Sequence, residues 1–155
     1  MVRTALHSGS QLSPLPEERA YLDVVRTADL LSRPVVQLLK EADLSPALYN
    51  ILRILRGSPQ GLTCGEIGNR MITRDPDITR LLDRLEKRQL LERARSGRDR
   101  RVVLAQITSA GLDLLAQLDE PVRDLHHQLL GHLGEDRLKL LAELLADCRR
   151  TVMQS

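Results

Sequence analysis

Only one part of this chain reads as strand. "LLERAR" (90–95) and "RVVLAQI" (101–107) are short, densely apolar runs, and "SGRD" with Gly97 offers a turn between them. The pattern predicts a single β-hairpin. Elsewhere the apolar residues recur in steps of three and four, the spacing of amphipathic helices. The expected class is therefore mainly α with a small β-hairpin (α+β). The apolar supply agrees. It is mostly leucine, with no Phe or Trp and with Tyr21 and Tyr49 as the two tyrosines, which favours a helical core.

At 155 residues, 42% hydrophobic and 28% charged, the chain can form one ordinary domain or two small subdomains sharing a core, and bulk disorder is excluded. Residues 1–15 are rich in Ser and Gly and read as a loose arm. A first helix is expected from Pro16–Glu18 to about Glu41, with a kink or break at Pro34. Ser45 and Pro46 then start a helix with Leu48, Ile51, Leu52 and Leu55 on one face. Gly57, Ser58, Pro59 and Gly61 end it. Thr63 and Glu66 form a capping-box pair for a short helix that ends near Met71.

After a brief turn, "DPDITRLLDRLEKRQ" (75–89) predicts a second helix with Pro76 in its first turn. Its apolar stripe is Ile78, Leu81, Leu82 and Leu85. Beyond the hairpin, Thr108 and Ser109 cap a helix running to about Leu130, with some bend expected at Pro121. Its seam is Leu115, Leu118, Val122, Leu125 and Leu129. After "GHLG", a second seam of Leu138, Leu141, Leu145, Cys148 and Val152 follows. Both seams have helix-pairing period, either between two subunits or within one as a helical hairpin.

Charge is unevenly distributed. Residues 74–101 carry ten Lys/Arg against six Asp/Glu, a surplus of +4, whereas the other 127 residues carry 13 against 15. A local basic field in a chain of net charge +2 suggests a polyanion partner, with a solvated charged surface as the alternative. Cys64 and Cys148 are far apart with no metal or redox spacing, so a reduced, cytoplasmic protein is expected. No apolar run approaches membrane-spanning length, and no membrane partner is expected.

A short helix, a turn and a second amphipathic helix make a helix-turn-helix, and a basic hairpin behind it makes a wing. The stretch "LTCGEIGNRM…DITRLLDRLEKRQLLER…GRDRRVVLAQITSAG" resembles the MarR family of winged helix-turn-helix regulators. "TRLLDRLE", "LLER", the wing "DRR" and the Thr and Gly of "ITSAG" carry the likeness, which covers Leu62 to Gly111 in detail. Two positions depart from the family pattern. Gln89 stands where a glycine usually closes the second helix, so it must adopt φ > 0 or end the helix differently. Gly68 stands where alanine is common.

The resemblance implies a homodimeric transcriptional regulator, expected to repress by binding double-stranded DNA at a pseudo-palindromic operator. Residues 16–43 and 109–155 would form N- and C-terminal dimerisation helices around a DNA-binding domain at 44–108. The recognition helix 75–89 would lie in the major groove and the wing 95–101 in the minor groove. Thr73, Arg74, Asp77, Thr79, Arg80 and Arg84 are the candidate contacts on the first, since arginine can pair with guanine and threonine can meet a phosphate or a thymine methyl. On the wing the candidates are Arg95, Arg98, Asp99, Arg100 and Arg101. The family pattern implies that Arg101 enters the groove braced by Asp99, with Arg98 and Arg100 on phosphates. The alternative for Asp99 and Arg101 is a simple surface salt bridge. Asp75 and Asp77 fit helix capping best.

The family also implies release from DNA by a small-molecule effector, although two tyrosines give a flat aromatic ligand little to stack on; core packing is their expected role. Redox control is an alternative, but Cys64 is expected to be a buried hydrophobe and Cys148 part of a seam. His126, His127, His132, Glu135 and Asp136 make only a weak metal cluster, and no metal or cofactor is expected. A winged-helix adaptor that binds protein has no need of an arginine-rich tip. No grouping of catalytic residues is present, so an enzyme is not expected.

Overall fold

The computed structural model describes residues 15–97, 99 and 101–153. Residues 1–14, the bulk of the expected arm, lie outside the described residues. The elements are α1 (Pro16–Glu41), α2 (Pro46–Arg56), α3 (Cys64–Arg70), α4 (Ile78–Lys87), β1 (Leu91–Arg95), β2 (Val103–Ile107), α5 (Ser109–Leu130), a 3₁₀ turn (Gly131–Leu133) and α6 (Glu135–Met153). By backbone contacts the chain falls into one unit up to Arg33 and a second from Pro34 onward.

The first unit is the helical stretch of α1 that starts at Pro16, with Glu17 and Glu18 favouring the positive end of its dipole. Tyr21, Leu22, Val24, Val25 and Leu30 are exposed along it. Tyr21 is thus not the core residue expected of it. Pro34 breaks nothing either, since α1 is one uninterrupted helix from Pro16 to Glu41.

The second unit holds the core. Leu39, Leu48, Ile51, Leu52, Leu55, Ile67, Leu85, Leu91 and Leu115 are fully buried. They draw on α1, α2, α3, α4, β1 and α5. Each such side chain contributes roughly 1.5–3 kcal/mol of transfer free energy. Tyr49 also lies in this core. α2 begins as its sequence dictates: Ser45 Oγ accepts from Leu48 N–H at 3.2 Å and Pro46 occupies the first turn. The Thr63–Glu66 capping box of α3 is formed in both directions.

β1 and β2 pair antiparallel, Leu91 opposite Ile107 and Arg95 opposite Val103. One bridge went unread in the sequence. Leu62 N–H donates to Ala105 C=O at 3.0 Å and Ala105 N–H to Leu62 C=O at 2.8 Å. This ties the loop before α3 to the second edge of β2.

The end of α4 explains the "ITSAG" pattern. Gln89 takes φ 58°, so the first of its two options holds. Leu90 N–H donates to Leu85 C=O and Gln89 N–H to Glu86 C=O, a Schellman ending without glycine. Thr108 Oγ1 donates to the Gln89 carbonyl at 2.6 Å and accepts from Gly111 N–H, thereby capping α5. A Cβ on Gly111 would sit 2.2 Å from the Leu90 carbonyl oxygen, so only glycine permits this approach. A Cβ on Gly68 would meet Ile78 Cδ1 at 2.6 Å, the flexible end of a side chain that can move aside, so this position is less demanding than Gly111.

α5 runs unbroken through Pro121. Leu115, Leu118 and Val122 of its seam are buried within the subunit, while Leu125 and Leu129 are half-buried. Leu140, Leu141 and Leu144 of α6 are exposed, as is Cys148. The first seam therefore serves the core of its own chain.

Candidate nucleic-acid interface

α3, the turn 71–77 and α4 form the helix-turn-helix. Asn50 Oδ1 on α2 holds the turn by accepting from Ile72 N–H at 2.9 Å. Asp75 Oδ1 accepts from Asp77 N–H at 2.9 Å, which shapes the last residues before the helix. α4 begins at Ile78, three residues later than expected, so Pro76 precedes the helix instead of lying in its first turn. Asp77 occupies the N-cap with φ −119°, but its side chain makes no capping hydrogen bond. Its carboxylate lies 3.9 Å from Arg80 Nη1 instead.

Thr73, Arg74, Asp77, Thr79, Arg80 and Arg84 are all exposed. Lys87, which the sequence reading left out, is exposed one turn beyond Arg84. Arg80, Arg84 and Lys87 follow one another at helical spacing and make a basic row. Cys64, expected inside, is exposed at the start of α3 with Sγ 3.8 Å from Thr79 Oγ1. The buried apolar residue of α3 is Ile67 instead.

Two arginines of the basic segment are used internally. Arg93 donates from Nη2 to Asp83 Oδ1 at 2.6 Å and from Nε to Glu86 Oε2 at 3.0 Å. The same contact holds the Glu86 carboxyl below its usual range, through the Arg93 hydrogen bond. It fixes β1 against the inner side of α4. Period-two spacing could have shown this, because Arg93 shares a strand face with the buried Leu91. Arg88 is the other internal arginine, bonded to carbonyls of the turn that closes α1. A third internal pair, Arg56 with Asp119 at 2.7 and 3.0 Å, joins α2 to α5 and draws the Asp119 pKa down.

At the hairpin tip, Ser96 N–H donates to Val102 C=O and Val102 N–H to Asp99 C=O. Asp99 Oδ1 accepts from the backbone N–H of Arg101 at 2.9 Å. The brace expected from Asp99 is therefore on the main chain, and the Arg101 side chain is exposed. Arg95 is exposed on β1. Arg98 and Arg100 lie outside the described residues.

The sequence model of the MarR family matches residues 44–103, the helix-turn-helix and most of the hairpin. A MarR transcription factor from Planctomyces limnophilus has a solved structure that is 40% identical, covering 88% of this chain and 98% of its own, with a TM-score of 0.67. The chain belongs to the MarR family. MhqR of Bacillus subtilis, an HTH-type transcriptional regulator, is 31% identical over 66% of this chain and 70% of its own length. A mutant MarR from E. coli complexed with operator DNA is 27% identical, covers 88% of this chain and 99% of its own, and aligns with a TM-score of 0.75. The protein is thus a MarR-type transcriptional regulator of winged helix-turn-helix fold, and its family and relatives are transcription factors.

Among the described residues, no three His, Cys, Asp or Glu side chains lie close enough to hold a metal ion. No described helix is long and apolar enough to cross a membrane. A cavity of about 410 Å³ opens between the end of α1, α2 and α5; Leu39, Tyr49, Asn50, Arg53, Ile72 and Val122 are among its lining residues.

Proposed function

We propose that this protein is a homodimeric repressor that binds a pseudo-palindromic operator in the cytoplasm. α4 enters the major groove and the hairpin tip the adjacent minor groove. The observation that carries the reading is the exposed row Arg80, Arg84 and Lys87 beside an exposed Arg101 held at a formed hairpin tip. Arg80 and Arg84 are the guanine readers, with Thr73, Arg74, Thr79 and Arg95 on phosphates or thymine methyls. Asp77 positions Arg80. Asp99 shapes the turn that presents Arg101, and Arg98 and Arg100 add phosphate contacts. The E. coli relative was solved in complex with operator DNA, which supports a DNA-binding reading.

A dimer supplies two half-sites about one helical turn apart. Residues 16–43 and 109–155 build its frame; Leu22, Val25 and Leu30 in the first unit, and separately Leu140 and Leu144 in the second, are exposed apolar residues for such a frame to cover. A small-molecule effector in the 410 Å³ cavity would touch Ile72, whose N–H is held by Asn50. It would release DNA by favouring a conformation in which the turn 71–77 has moved.

The test is selection of bound duplexes from random DNA, followed by salt titration of the winner. A symmetric site and a steep fall of affinity with salt are expected. Failure to select any sequence ends the proposal. Arg101→Ala should weaken the selected site by about 1–3 kcal/mol with the dimer intact.

A further inference from the structure

Arg88 belongs to the basic segment, yet its charge faces inward. As the C-cap of α4, its own N–H donates to Arg84 C=O at 3.3 Å, and the next N–H, that of Gln89, donates to Glu86 C=O at 2.8 Å. Its guanidinium meanwhile donates from Nη1 to Asp43 C=O at 2.6 Å and from Nη2 to Ala42 C=O at 3.1 Å. Those two carbonyls belong to the turn that closes α1, just past its last residue, Glu41. There Asp43 N–H donates to Lys40 C=O and Leu44 N–H to Leu39 C=O, both at 3.0 Å, and Asp43 takes φ 53°. α1 and α4 thus close with the same Schellman geometry, each without glycine, and one arginine joins the two endings.

The arrangement is chemically apt. Helix-terminal carbonyls carry a partial negative charge, and a cation there is favourable. A planar guanidinium can hold two of them at once at fixed spacing, which an ammonium cannot do. The Asp43 carboxylate adds little, since it is 87% exposed and 3.9 Å away.

We propose that Arg88 is a positioning residue for DNA reading: it fixes the end of the recognition helix to the corner between α1 and α2, and so transmits the position of the dimer frame to the helix that reads bases. This rests on the DNA-binding reading above. A phosphate contact and an internal strut make opposite predictions. Removing a phosphate contact lowers the slope of log affinity against log salt by about one and weakens all DNA alike. Removing a strut leaves that slope alone and weakens discrimination.

The experiment compares wild type, Arg88→Ala, Arg88→Lys and Asp43→Asn on the duplex selected by the wild type, on the same duplex with one base pair inserted between half-sites, and on a random duplex. For Arg88→Ala we expect a roughly tenfold loss on the selected duplex, the scale of one specific contact. The wild-type penalty for the inserted base pair should shrink, and the salt slope and random-duplex affinity should hold. Arg88→Lys should restore part of the loss and Asp43→Asn should behave as wild type. Carbonyl carbon-13 shifts of Ala42 and Asp43 should move in Arg88→Ala without DNA, and a cooperative melt keeps misfolding distinguishable. A slope lowered by about one, with equal weakening on every duplex, identifies a phosphate contact and overturns the proposal. An unchanged spacing penalty also overturns it. A wild-type chain that selects no DNA overturns the functional reading itself, and this proposal with it.

Discussion

The two ends of α4 are built to different standards. At the entry end, Asp77 occupies the N-cap without a capping bond, and its carboxylate lies 3.9 Å from Arg80 Nη1. At the exit end nearly every polar group is bonded. Gln89 and Leu90 close the backbone, Thr108 takes the Gln89 carbonyl, and Arg88 and Arg93 reach to α1 and back from β1. The difference teaches where rigidity is placed. The exit end meets the rest of the protein, so its geometry is overdetermined; the entry end carries no side-chain cap.

Substitutions at the two ends test this contrast. Gly111→Ala should be the most damaging, since its Cβ would fall 2.2 Å from the Leu90 carbonyl oxygen. A loss of about 2–3 kcal/mol in urea unfolding is expected, the scale of overpacking against rigid backbone. Thr108→Val removes the α5 cap and the bond to Gln89 together, and about 1–2 kcal/mol should go in the same assay. Gln89→Gly acts in the opposite direction. It relieves a left-handed residue at φ 58° and should raise stability by roughly 0.5–1 kcal/mol, seen as a higher melting temperature. Asp77→Ala should move stability least, by under about 0.5 kcal/mol, because no capping bond is lost. If Asp77→Ala matched Thr108→Val, the contrast between the two ends would be gone.

Much of this was legible in the residues. Ser45, Thr63 and Thr108 announce their helices because a capping hydroxyl acts within three or four residues. The apolar stripes of α2 and α4 gave the core side correctly. The likeness in "TRLLDRLE" and "DRR" led to the family, and the glycine substituted by Gln89 was visible as a backbone demand. What stayed hidden depends on partners distant in sequence. Arg88 meets Ala42 and Asp43, and Leu62 meets Ala105, across spans that no local pattern encodes. Cys64 was misassigned for a related reason: at the first position of α3 the direction of a side chain follows from tertiary placement and not from propensity. Pro34 predicts a kink or a break, and of the two the break is absent, since α1 continues past it as one helix.

The Leu62–Ala105 bridge gives the hairpin a clamped root. Ala105 is buried, with both of its backbone groups bonded to Leu62 and with Arg93 of β1 opposite it, whereas Val103 near the tip is 47% exposed. A cantilever of this kind bends at its outer end while its mounting stays still. In the DNA-bound arrangement proposed above, the tip can then follow grooves of different width, and the helices behind it need not move.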